Sequence, residues 1–146
     1  MFRFLTQANI TIGNGQFRKL AGLIKDLGFQ RPGVLVDEGF ASGPLWRDVG
    51  GELEREFGDR CFWAKNSGRA EPTYAYLEGK AGEFRQKDLD VIVGVGGGSC
   101  MDTAKATAAL MTNPGKPLDY RGFDKLNRPG LPTIMVPTTA GTGSEV

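Results

Sequence analysis

The stretch that decides the fold is Val91-Ile92-Val93-Gly94-Val95-Gly96-Gly97-Gly98-Ser99. Val91-Ile92-Val93 is contiguous, apolar and β-branched, as expected of a strand covered on both faces. Gly94-Val95-Gly96-Gly97-Gly98 follows it. A helical pattern then runs from about Cys100 to Met111, with Met101, Ala104, Ala108 and Met111 on one face, and Asn113-Pro114-Gly115 stops it. Strand, glycine turn and helix in succession form half of a parallel α/β unit. Missing side chains in such a turn let the backbone approach a pyrophosphate. The amides at the helix start offer donors, and the dipole there favours negative charge. Each charge-assisted hydrogen bond is worth about 1.5–3 kcal/mol and the dipole about 0.3–1 kcal/mol, so the donors dominate.

The run is neither the usual dinucleotide fingerprint, because Ser99 holds its last glycine position, nor a Walker loop, because no Gly-Lys-Ser/Thr follows. A tight strand-to-helix turn needs fewer glycines than these four in five positions, which favours a phosphate site. Ser99 and Asp102 stand in a Ser-x-x-Asp pattern that also reads as a capping box, worth about 1 kcal/mol. A ligand role fits beside that reading for Ser99 more easily than for Asp102. Cys100, at a helix start where thiol pKa values fall, reads as a packing residue, since no His is present to act as its base.

Working outward, other strands end in suggestive residues. Val34-Leu35-Val36 is a short apolar run ending at Asp37. At a strand end Asp37 could accept two hydrogen bonds from a ribose diol and repel a 2′-phosphate, although on spacing it reads equally as a turn aspartate, with Glu38 beside it. Thr133-Ile134-Met135-Val136 is a strand that runs into Pro137-Thr138-Thr139-Ala140-Gly141-Thr142-Gly143-Ser144. One hydroxyl would cap a helix, and four within seven residues point to polar ligand contacts. In an open parallel sheet, ligands bind outside the carboxyl ends of the strands.

The remaining pattern completes a strand–helix alternation. Ala8, Ile10 and Ile12 alternate up to Gly13-Asn14-Gly15 and read as a half-buried strand and turn. Phe17, Leu20, Ile24 and Leu27 form one helical face, with Gly28 as the C-terminal cap. Leu45, Val49, Leu53 and Phe57 form a second, weakened by Gly50-Gly51. Cys61-Phe62-Trp63-Ala64 reads as a strand, Lys65 to Pro72 as a loop, and Tyr76, Leu77 and Phe84 as a third helix. From Asn113 to Pro132 no period emerges, with four prolines and three glycines. The expected fold is α/β: a mostly parallel, doubly wound, Rossmann-like sheet occupying residues 1–146 as one dinucleotide-binding domain.

Composition sets the outer bounds. The chain has 146 residues, 18 Lys+Arg against 17 Asp+Glu, and no His. It therefore cannot build a His-based metal site, a Ser-His-Asp triad or an imidazole acid–base. A net charge of +1 gives no reason to expect nucleic acid as a partner. Two cysteines suit a reducing compartment. No apolar run approaches the ~18 residues of a membrane span, and Met1–Gln7 lacks the apolar core of a leader, so the expected location is cytoplasmic. Ser144-Glu145-Val146 reads as the first turn of a helix left incomplete, so the chain is expected to be the N-terminal piece of a larger two-domain protein.

Gly96-Gly97-Gly98-Ser99-x-x-Asp102-Thr103-x-Lys105, followed by Pro137-Thr138-Thr139-Ala140-Gly141-Thr142-Gly143-Ser144-Glu145, resembles the iron-containing (group III) alcohol dehydrogenases. The resemblance implies an α/β domain that binds NAD and a helical domain, absent here, that holds a divalent metal, iron or zinc. The metal would polarise an alcohol oxygen while hydride passes between a small alcohol or aldehyde and the nicotinamide. It implies that Asp37 holds the adenosine ribose and points to NAD over NADP. Gly96, Gly97, Gly98 and Ser99 would cradle the pyrophosphate. Thr138, Thr139 and Thr142 would line the cleft, and Asp102 would lie near the nicotinamide end. No catalytic residue and no metal ligand falls within the chain on this reading, a homodimer is compatible with it, and the chain alone is expected to be inactive. Where the family often has Asn before Pro-Thr, this chain has Glu71, whose carboxylate would repel phosphate. Two other readings stand beside it: a lyase domain resembling dehydroquinate synthase, and a stand-alone nucleotide-binding module without catalysis.

Overall fold

The computed structural model describes residues 8–67 and 71–146. The reading of Met1–Gln7 and the middle of the Lys65–Pro72 loop lie outside the described residues. Four strands form one sheet: β1 (Pro32–Asp37), β2 (Phe62–Asn66), β3 (Val91–Gly96) and β4 (Thr133–Pro137). Their order is β2-β1-β3-β4 and every pair is parallel. The helices are α1 (Leu20–Asp26), α2 (Glu38–Ala41), α3 (Pro44–Phe57), α4 (Tyr74–Arg85) and α5 (Gly98–Thr112).

The strand alternation splits the core into two layers. Val34, Val36, Val91, Val93 and Val95 face Leu20, Ile24, Trp46, Val49, Leu53 and Phe57 of α1 and α3. Leu35 and Ile92 face Phe84, Cys100, Ala104 and Ala108 of α4 and α5. Both faces of β1 and β3 are thus buried, which is why those strands read as unbroken apolar runs. The doubly wound α/β expectation holds. Gly50-Gly51 does not break α3, because Trp46, Val49, Leu53 and Phe57 bury one continuous face, Trp46 taking the place expected of Leu45.

Several local expectations are corrected. No strand forms over Ala8–Ile12; Ile10 and Ile12 are 64% and 89% exposed, and without a neighbouring strand among the described residues the alternation has no ladder to join. The first helix opens with a 3₁₀ turn (Gln16–Lys19), and Leu27 is its C-cap, 54% exposed instead of buried. Gly28 follows in the left-handed conformation, φ 87°, as a C-terminal glycine should. β2 continues through Lys65 to Asn66, past the start of the expected loop.

The patternless stretch from Asn113 onward is a loop containing one 3₁₀ turn (Pro117–Tyr120), and side-chain hydrogen bonds organise it, those of Asn113 foremost. Buried Asn113 donates from Nδ2 to the carbonyls of Ala109 and Arg128, and its Oδ1 accepts from the amides of Asn127 and Arg128. Arg85 of α4 donates to the carbonyls of Leu110 and Asn113, satisfying the C-terminal end of α5. Side-chain hydrogen bonds, invisible to periodicity, therefore order this segment.

Candidate nucleotide site

The chain leaves β1, crosses to β2 on one side, and returns to β3 on the other. The carboxyl ends of β1 and β3 therefore flank a topological switch point, where a crevice opens in this class of sheet. Along that rim stand Asn66, Asp37, Gly96 and Pro137, the last residues of β2, β1, β3 and β4. The expected site residues gather here from strands distant in sequence.

Gly96 is buried at the end of β3. A Cβ there would lie 2.7 Å from Cys100 Cβ and 2.9 Å from Asp37 Cβ. Its missing side chain thus makes room for its neighbours. The next two glycines border the turn after β4. A Cβ on Gly97 would stand 3.3 Å from Thr139 Oγ1, and one on Gly98 3.2 Å from Thr142 Cβ and 3.3 Å from Ser144 Oγ. The Thr138 amide donates to the Gly96 carbonyl at 2.9 Å, joining the two turns. Gly141 and Gly143, at φ 95° and 71°, let the second turn curl back, and Thr142 Oγ1 accepts from the Ser144 amide.

The expected capping box does not form. The N-cap of α5 is Gly97, with no side-chain cap, so Ser99 sits one residue inside the helix and Asp102 is exposed on its second turn. A glycine cap puts no side chain of its own over the first amides of the helix, an arrangement that suits anions. Ser99, Thr138, Thr139 and Thr142 border this opening; Asp102 stands further along α5.

Asp37 is both strand end and helix cap. Its Oδ1 accepts from the amides of Gly39 at 3.0 Å and Phe40 at 3.4 Å, closing the first turn of α2. Oδ2 carries no hydrogen bond among the described residues. Cys100 lies beneath, fully buried, its Sγ donating to the carbonyls of Leu35 and Val95. Burial, then the charge of Asp37, push its thiol up to about 12. Desolvation thus outweighs the helix-start effect and makes Cys100 inert packing.

Periodicity missed Asn66. Asn66 is 1% exposed at the end of β2, paired in register with Asp37. Its Oδ1 accepts from the Tyr76 hydroxyl at 2.8 Å, while its Nδ2 is buried without a partner among the described residues. Such an orphaned donor costs about 1–3 kcal/mol. Phe62, Ala64 and Asn66 share one face by alternation, and a polar residue third in that row was the available signal.

No cluster of three His, Cys, Asp or Glu side chains capable of holding a metal ion occurs among the described residues. The metal implied by the resemblance therefore does not fit this part of the protein. The glycine turn, by contrast, fits a diphosphate: its amides start a helix without a side-chain cap, and no side chain projects from positions 97 and 98.

A sequence profile described as iron-containing alcohol dehydrogenase matches residues 7–146. The chain belongs to the iron-containing alcohol dehydrogenase family. It is 30% identical over 142 residues to the NAD-dependent methanol dehydrogenase of Bacillus methanolicus, covering 97% of this chain and 36% of that protein. It is 32% identical over 146 residues to the sulfoacetaldehyde reductase of Bilophila wadsworthia, covering 99% and 37%. Its fold superimposes on the sulfoacetaldehyde reductase of Bifidobacterium kashiwanohense, solved in complex with NAD+, with a TM-score of 0.82 at 26% identity, over 100% of this chain and 38% of that one. The chain thus spans about a third of the length of these family members.

Proposed function

We propose that this chain is the nucleotide-binding part of an NAD-dependent, metal-dependent alcohol dehydrogenase. The reaction is reversible hydride transfer between a small alcohol or aldehyde and NAD. The observation that carries this reading is the glycine-capped start of α5, open at the sheet's switch point and flanked by Asp37 and the Thr138–Thr142 turn. The amides that open α5 at Gly98 and Ser99 hold the diphosphate, Asp37 accepts from the adenosine ribose, and Thr138, Thr139 and Thr142 line the side toward β4. Bound NAD supplies the hydride acceptor. These residues bind and orient; none is placed to move the substrate's proton, and the chain alone turns nothing over. No helix among the described residues is long and apolar enough to cross a membrane. With two free thiols, the proposed location is the cytoplasm.

The test is a titration of the chain with NADH and NADPH, followed by nicotinamide fluorescence. Asp37→Asn keeps an oxygen for the α2 cap and removes the charge. It should weaken NADH several-fold and improve NADPH relative to NADH. Unchanged selectivity removes Asp37 from ribose recognition, and absence of NADH binding by the unaltered chain removes the nucleotide reading altogether.

A further inference from the structure

The sequence alone suggests that one carboxylate takes both ribose hydroxyls. In the structure Oδ1 of Asp37 already accepts from two backbone amides, which leaves the diol to Oδ2 alone. A neighbouring donor would share that task. One strand over, in register with Asp37 and on the same face of the sheet, Asn66 carries a buried amide donor that nothing among the described residues satisfies. Its Oδ1 is held by Tyr76, whose own oxygen accepts from the Ser67 amide at 3.2 Å, so Nδ2 is the end left without a partner among the described residues. The order of the rim agrees. A dinucleotide with its diphosphate at Gly97–Gly98 and its adenosine ribose at Asp37 extends its adenosine end toward β2, where Asn66 stands.

We propose that Asn66 is a second adenosine-ribose recognition residue: Asp37 Oδ2 accepts from one hydroxyl while Asn66 Nδ2 donates to the oxygen of the other. This rests on the nucleotide reading above. Nδ2 is buried, so the contact requires the Asn66 side chain to shift toward the rim on binding. The partnership divides the work, with an anionic acceptor excluding a 2′-phosphate and a neutral donor selecting a hydroxylated sugar.

The experiment is calorimetric titration of the chain, Asn66→Ala and Asn66→Asp with NADH and with its 2′-deoxy and 3′-deoxy adenosine-ribose analogues. Both variants should weaken NADH about 3- to 10-fold, the range for one lost hydrogen bond. They should leave unchanged the affinity for the analogue lacking the hydroxyl that Asn66 reads. Equal loss across NADH and both analogues would show a merely structural role and overturn the proposal, as would unchanged NADH binding. Asn66→Asp keeps the acceptor for Tyr76, so it decides the matter if Asn66→Ala fails to fold. Failure of the unaltered chain to bind NADH would instead overturn the nucleotide reading, and this proposal with it.

Discussion

Asp37 Cβ lies 2.9 Å from the point where a side chain on Gly96 would begin. The ends of β1 and β3 are in this close contact because residue 96 has no side chain. Cys100 closes the same space from below, with its Cβ 2.7 Å from that point. Gly96 thus serves the site by positioning Asp37.

Gly96→Ala should therefore lose stability by about 1–3 kcal/mol through overpacking and weaken NADH binding. Chemical denaturation and the fluorescence titration measure the two effects. A fully stable variant would show that Asp37 and Cys100 yield more readily than the structure indicates.

The buried thiol predicts a pH response with a definite sign. Cys100 rises from an ordinary 9.0 to about 12, and Cys61 to about 11 through burial and then the charge of Glu54. Above pH 9 the unfolded chain loses these protons while the folded chain keeps them. The folded state then binds more protons, and stability falls as pH rises from about 9 toward 11–12. Cys100→Ala should flatten that slope in denaturation measured across the range. In the same window, iodoacetamide should label Cys100 in denaturant and leave it unmodified in the folded chain.

Asn113→Ala should cost about 2–3 kcal/mol, because it removes the shared acceptor of the Asn127 and Arg128 amides together with two donated bonds. Hydrogen exchange at Asn127 and Arg128 should accelerate while the β3 amides keep their protection. A uniform loss of protection would mean that the loop and sheet unfold as one unit.

Thr107 presents the opposite case. Its Oγ1 is buried without a partner among the described residues. Thr107→Val keeps the branched shape and removes the orphaned hydroxyl, and should raise stability by about 1 kcal/mol. A lower denaturation midpoint would show that this hydroxyl is satisfied in solution.

Much of this molecule was legible along the chain because local chemistry repeats locally. The apolar runs at Val34–Val36 and Val91–Val93 announced strands buried on both faces, and the glycines after Val93 announced an unhindered turn into a helix. The Pro137–Glu145 motif placed the chain in its family. Tertiary structure decided what depends on residues far apart in sequence. Ala8–Ile12 alternates like a strand yet pairs with none among the described residues, because a ladder needs a neighbour that alternation cannot supply. Asn66 meets Asp37 only because β2 pairs with β1, and Gly96 matters only because Asp37 and Cys100 converge on it. Hydrophobic period and turn chemistry determined the elements. The order of strands, which sets the contacts between distant side chains, determined the site.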